Sequence, residues 1–114
     1  MYKVAKFGGT SLANANCLRQ VREIIEAERS RKFVVPSAPG KEHHDDTKIT
    51  DLLYLIHEII DAKQDPTDVW AKIETRFLTI CDELDLRMDI RSVLDHVYAE
   101  LSAGVSREHA SSRG

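Results

Sequence analysis

The sequence predicts an α/β fold in which one βαβ unit with two short parallel strands is followed by about three to four helices. Three observations carry this. Tyr2–Phe7 alternates apolar residues with Lys3 and Lys6 and stops at Gly8-Gly9, the pattern of a short strand. A second apolar run, Phe33-Val34-Val35, stops at Pro36. Between the two runs, and again everywhere after about residue 50, apolar residues recur at helical spacing. Strand, helix and strand within about 35 residues is the length of one βαβ unit, whose strands run parallel. A chain of 114 residues is one domain, residues 1–114, with a modest core.

Each element has its own signal. Thr10 or Ser11 offers a hydroxyl to cap the first helix. Leu18, Val21, Ile24 and Ile25 form its apolar stripe through about Ala27, opposite Arg19, Arg22, Glu23 and Glu26. A basic turn, Arg29–Lys32, leads into the second strand, and the polar stretch from Pro36 to Thr47 reads as a loop. Thr50 or Asp51 caps a second helix that carries Leu52, Leu53, Ile56, Ile59 and Ile60 and is broken at Asp65-Pro66. Trp70, Ile73, Phe77, Ile80 and Leu84 stripe a third helix. From about Asp89, a fourth presents Ile90, Val93, Leu94, Val97 and Leu101 to the core, with Gly104 near its end. Val105–Gly114 reads as the opening of a further segment.

Composition excludes several functions. Apolar residues make up 42% and charged residues 31% of the chain, values typical of a folded globular domain. The net charge is -3 and no basic block occurs, so no nucleic-acid partner is expected. Apolar runs are far too short for a membrane span, and residues 1–20 lack a secretory signal. Cys17 and Cys81 fit no metal spacing; reduced cysteines in a cytoplasmic protein are the expectation.

The chemically distinctive stretch is Lys6-Phe7-Gly8-Gly9-Thr10-Ser11. A strand that runs through glycines into a helix start can hold phosphate, because the first helical N–H groups lack acceptors and carry partial positive charge. Glycines let phosphate oxygens approach the backbone, and Lys6 adds a full charge. Read alone, a Gly-Gly pair after a strand more often makes only a tight turn. It is neither a P-loop nor the dinucleotide-binding glycine motif.

The longer pattern is more specific. Lys6-Phe7-Gly8-Gly9-Thr10-Ser11 resembles the N-terminal signature of aspartokinases, members of the amino-acid kinase family. Val34-Val35-Pro36-Ser37-Ala38-Pro39-Gly40 resembles the family's second-strand motif, and Lys48-Ile49-Thr50-Asp51-Leu52-Leu53 the segment that opens its next helix. Ser111-Ser112-Arg113-Gly114 looks like the start of a further family element, cut before its glutamate.

The resemblance implies a helix-rich N-terminal fragment of the amino-acid kinase fold, without the nucleotide-binding half and the ACT domains. Aspartokinases transfer the γ-phosphoryl group of Mg-ATP to the side-chain carboxylate of L-aspartate, giving 4-phospho-L-aspartate for lysine, threonine and methionine synthesis. By resemblance, Lys6 is the catalytic lysine and contacts the ATP phosphates together with Gly8, Gly9 and Ser11. Ser37, Ala38 and Thr50 would contact aspartate. The implied ligands are ATP and L-aspartate, with no protein-bound metal in the fragment. The isolated chain is expected to be inactive and to self-associate, because two parallel strands leave faces and edges uncovered. The alternatives are a non-catalytic self-associating module and a half-site of another amino-acid kinase; the Thr10-Ser11 and Thr50-Asp51 pairs favour an aspartokinase over the latter.

Other chemically suggestive residues have plainer readings. His43-His44-Asp45-Asp46 has metal-ligand types but reads as a solvated loop, with Asp45 or Asp46 available to position it. His57 and His96 read as boundary residues, Trp70 and Phe77 as core, and Asp82, Glu83 and Asp85 as a solvated acidic cluster. Arg107 and His109 belong to the segment leading to Gly114.

Overall fold

A computed structural model describes all of residues 1–114. The chain forms two compact units, Met1–Lys48 and Ile49–Gly114. The first holds strands β1 (Lys3–Phe7) and β2 (Arg31–Pro36), joined through a 3-10 turn (Gly9–Leu12) and helix α1 (Ala15–Glu26). The second holds α2 (Ile49–Asp61), α3 (Thr67–Glu83), α4 (Ile90–Ser102) and α5 (Arg107–Ser112). The predicted α/β class and the parallel strand pair are both present. No helix is long and apolar enough to cross a membrane.

In the first unit, β1 and β2 pair in parallel, with Val4 opposite Phe33 and Phe7 opposite Pro36. The register slips between Lys3 and Val4, where Lys32 is the extra residue. Strand alternation sends Ala5 and Phe7 toward α1, where Phe7, Leu12 and Val21 form a small core flanked by Leu18 and Ile25. The opposite face carries Val4 and Phe33, 67% and 55% exposed, so that face of the sheet is uncovered. Tyr2 packs edge-on against Phe33, with ring centroids 6.1 Å apart.

Three details of this unit differ from the sequence reading. Neither Thr10 nor Ser11 caps α1. The chain first makes the 3-10 turn, and Asn14 then caps the helix by accepting from the Cys17 amide at 3.0 Å. Asparagine is among the strongest N-caps, and it wins over the hydroxyls upstream. Ile24 is 46% exposed, because α1 covers only one side of a two-stranded sheet and its apolar stripe is wider than that contact. The second strand also starts two residues early, at Arg31.

In the helical unit, α2 packs against α3, α4 and α5. Its residues Ile49, Leu53 and Ile56, with Leu101 of α4, are the largest fully buried side chains. Trp70 of α3 lies 5.1 Å from Tyr98 of α4, ring centre to ring centre. Val93, expected in the core, is 50% exposed; Leu94 and Val97 take the inward positions on α4. Val105–Gly114 contains α5, capped by Ser106, which accepts from the His109 amide at 3.1 Å. Arg107 stacks over the Tyr54 ring at 4.1 Å and His109 lies 3.5 Å from Glu100, so both residues fasten α5 to its neighbours.

The ends of α2 and α3 reverse through left-handed residues that are not glycine, Lys63 (φ 58°) and Asp85 (φ 52°). Gln64 N–H donates to Ile59 and Lys63 N–H to Ile60; Leu86 and Asp85 repeat this with Cys81 and Asp82. This is the Schellman closure, where a Cβ at positive φ is costly and an acidic side chain opposes the helix dipole. Asp85→Gly is therefore expected to stabilise the unit by about 1 kcal/mol, read as a higher urea midpoint; an unchanged or lower midpoint contradicts this.

Glu100 joins α4 to α5. Its Oε1 lies 3.0 Å from His96 Nε2, and Oε2 lies 3.3 Å from Arg113 Nε and 3.5 Å from His109 Nε2. Neither Oε2 contact has hydrogen-bond geometry, and the one to Arg113 is an ion pair. Desolvation pushes the carboxyl up, but Arg113, His109 and His96 together outweigh it and hold it below the ordinary value of 4.5. A carboxyl depressed on folding stabilises above its unfolded value and loses that contribution as pH falls through the folded value. The helical unit should thus weaken as pH drops below about 4.5, and Glu100→Gln should flatten that part of the profile. Identical acid profiles for the two proteins in denaturant melts would refute it.

Candidate functional site

The residues singled out at the N-terminus gather at one end of the β1–β2 pair. Lys6 is the penultimate residue of β1 and alternates with Phe7, so it lies on the face away from α1. It is exposed and forms no ion pair. Gly8 follows in extended conformation (φ -76°, ψ 172°). A Cβ there would meet nothing within 4 Å, so the backbone at Gly8 borders open space. The 3-10 turn then begins at Gly9, with Ser11 N–H donating to Gly8 at 3.1 Å. Gly9 and Thr10 open that turn, and their amides have no acceptor within it.

Because Asn14 caps α1, the Thr10 and Ser11 side chains are not consumed in capping, and both residues are exposed. They line an open cavity of about 220 Å³ together with Phe7, Cys17, Gln20, Val21 and Ile24. The Thr10 and Ser11 hydroxyls thus open on the α1 side of the sheet, while Lys6 stands on its other face and the open Gly8 backbone at the end of β1. Hydroxyls, unbonded amides and a lysine are group types that can hold an anion.

The segment after β2 adjoins the glycine corner. Ser37 N–H donates to the Phe7 carbonyl at 3.0 Å, and Gly40 N–H donates to the Gly9 carbonyl at 2.8 Å. Ser37 is exposed, Ala38 half-buried, and Pro39 and Gly40 buried. Lys6, Gly8, Gly9, Ser11, Ser37 and Ala38 therefore all lie within the first unit, around the ends of two paired strands. Thr50 is the second residue of α2, half-buried, in the helical unit. The sequence reading missed Gly40. Its signal was a glycine following Pro39 in a segment already marked by small residues.

The loop beyond is closed by Asp46, whose carboxylate accepts from the Glu42 amide at 2.9 Å and the Thr47 amide at 2.8 Å. His43 and His44 are exposed. No group of three or more His, Cys, Asp or Glu side chains converges as a metal site, and both cysteines are free thiols.

The geometry defines a class: an α/β segment in which a glycine corner and a second loop meet at adjacent strand ends. Comparison with known proteins makes it more particular. The chain is 41% identical over 88 residues to Aspartokinase 3 of Bacillus subtilis, covering 77% of this chain and 19% of the relative. It is 34% identical over 105 residues to the chloroplastic bifunctional aspartokinase/homoserine dehydrogenase 2 of Arabidopsis thaliana, covering 90% of this chain and 11% of the relative. Its fold superposes on the aspartate kinase of Clostridium acetobutylicum with a TM-score of 0.95 at 42% identity, over 97% of this chain and 26% of that one. Escherichia coli aspartokinase III, solved with aspartate and ADP, shares the fold with a TM-score of 0.76 at 22% identity, over 100% of this chain and 26% of that one. No protein-family model matches. The resemblance to aspartokinases thus holds in sequence and in fold, and the chain spans a fifth or less of the length of these curated relatives.

Proposed function

We propose that this chain is the phosphate- and aspartate-binding portion of an aspartokinase, acting with a nucleotide-binding half to transfer the γ-phosphoryl group of ATP to L-aspartate. Lys6 and the backbone of Gly8 and Gly9 hold the terminal phosphates, assisted by the Ser11 hydroxyl. Ser37, Ala38 and Thr50 receive the amino acid. The product, 4-phospho-L-aspartate, serves synthesis of lysine, threonine and methionine in the cytoplasm.

The chemistry fits these residue types. An aspartate carboxylate with a pKa near 3.9 is already ionised at neutral pH, so attack on phosphorus needs no general base. The barrier comes from bringing two anions together in line, and catalysis consists of positioning them and neutralising the transferring group. Lysine and preorganised amides do this at low reorganisation cost. Magnesium, bound mainly through phosphate oxygens and water in such sites, would arrive on the nucleotide and share that neutralisation; this segment offers it no cage of protein ligands.

The observation that carries the reading is the uncommitted corner: Lys6 without an ion pair, open space at Gly8, and two hydrogen bonds fastening it to Ser37–Gly40. The test is a chimera in which residues 1–114 replace the matching stretch of the C. acetobutylicum enzyme. Aspartate-dependent release of ADP is expected. A folded chimera that releases none counts against the proposal. On its own the 114-residue chain is inactive, and its uncovered Val4–Phe33 face favours self-association, readable by sedimentation.

A further inference from the structure

We propose that Gly40 is a positioning residue for phosphoryl transfer: it holds the glycine corner and the Ser37–Ala38 segment at a fixed separation by putting no side chain between them. The inference rests on the functional reading of that corner given above. The β ladder ends with Phe7 opposite Pro36, yet the two segments stay joined. Ser37 N–H reaches the Phe7 carbonyl at 3.0 Å, and Gly40 N–H reaches the Gly9 carbonyl at 2.8 Å.

At the second of these bonds the backbones approach so closely that only glycine fits. A Cβ on Gly40 would lie 2.6 Å from the Gly9 carbonyl carbon, 2.9 Å from its oxygen and 2.9 Å from the Thr10 nitrogen, where ordinary contact begins at 3.4 Å. All three atoms are backbone, so no side chain can swing aside. Gly9 reciprocates less tightly, its Cβ meeting the Ala38 oxygen at 3.1 Å and the Gly40 Cα at 3.2 Å. The Gly40 φ is not left-handed, so the requirement is space rather than backbone conformation. A methyl group at position 40 must part the two segments by roughly 0.8 Å.

That displacement falls between the groups that hold the two reactants. In-line transfer needs the attacking oxygen and the phosphorus about 3–3.5 Å apart, and misplacement by about 1 Å costs on the order of 10² in rate. Each reactant keeps its own contacts, so binding changes little while turnover falls. Gly40 acts only through its neighbours, since it has no side chain and its amide is given to Gly9.

Two measurements test this. In the 114-residue chain, hydrogen exchange followed by NMR should show that Gly40→Ala speeds exchange at position 40 and at Ser37, while the Ala5 amide of β1, which faces β2, stays protected. In the chimera, Gly40→Ala should lower kcat by about 10²-fold with little change in KM for aspartate or ATP, and Gly9→Ala should lower it less. Unchanged exchange, or wild-type kcat, or a rise in KM alone, overturns the proposal. If Gly40→Ala unfolds the strands, the milder Gly9→Ala decides: full kcat in that variant overturns it. An inactive unmodified chimera sinks the functional reading instead, and the exchange arm alone then decides whether the two segments are locked.

Discussion

Lys6→Ala in the chimera is expected to lower kcat by about 10²–10³ while KM for aspartate stays nearly constant. Lys6 sits beside the last residue of β1, exposed, with no carboxylate to neutralise it. A charge left unpaired at a strand end contributes nothing to the fold that would explain its presence, whereas a migrating phosphoryl charge would use it. The interaction strengthens as negative charge develops between donor and acceptor, so its loss falls on turnover. Lys6→Arg restores the charge with a different shape, and partial recovery is expected. Steady-state kinetics of ADP release checks this; an equal loss in kcat and aspartate affinity, or no loss, contradicts the role. The circular dichroism spectrum should not change, because nothing in the protein rests on the ammonium.

Trp70→Ala is expected to destabilise the helical unit by about 3–5 kcal/mol. The indole is 6% exposed, lies 5.1 Å from Tyr98, and borders an apolar cavity of about 210 Å³ lined also by Leu53, Ile73 and Leu94. Truncation would enlarge that cavity, and the penalty grows with the space the neighbours cannot refill. The stability of a small domain is only about 5–15 kcal/mol, so this one change removes a large share of it. Urea unfolding followed by circular dichroism measures the loss; a cost below about 1 kcal/mol would show that the indole is not part of the core. Trp70→Phe, which keeps most of the apolar volume, should cost clearly less.

The parts of the fold written in local pattern could be read without coordinates. β1 announces itself by alternation and the glycine stop, and α2 to α4 by stripes in which Leu53, Ile56, Ile73, Ile80 and Leu101 all prove buried. Periodicity identifies a stripe but not how much of it finds a partner. Ile24 and Val93 belong to their stripes and remain exposed, because each partner surface is narrower than the stripe. The cap of α1 falls at Asn14 rather than at Thr10 or Ser11, because the backbone path makes a 3-10 turn before the helix proper, which sequence pattern does not distinguish.

The site shows the same division. Lys6, Gly8, Gly9 and Ser11 fall within six consecutive residues, and their chemistry is visible as a string. That Ser37 and Ala38 lie beside them follows from parallel pairing of β1 with β2, which the βαβ spacing predicts. The contact of Gly40 with Gly9 does not follow, since a close approach of two backbones 31 positions apart in the chain leaves no local signature beyond the glycines themselves.

The most direct measurement is a crystal structure of the chimera with a non-hydrolysable ATP analogue and aspartate bound. The account predicts terminal phosphate oxygens within about 3 Å of Lys6 Nζ and of the amides at Gly8 and Gly9, with the aspartate side chain beside Ser37 and Ala38. A triphosphate seated elsewhere, with Lys6 turned onto a protein carboxylate, would contradict it.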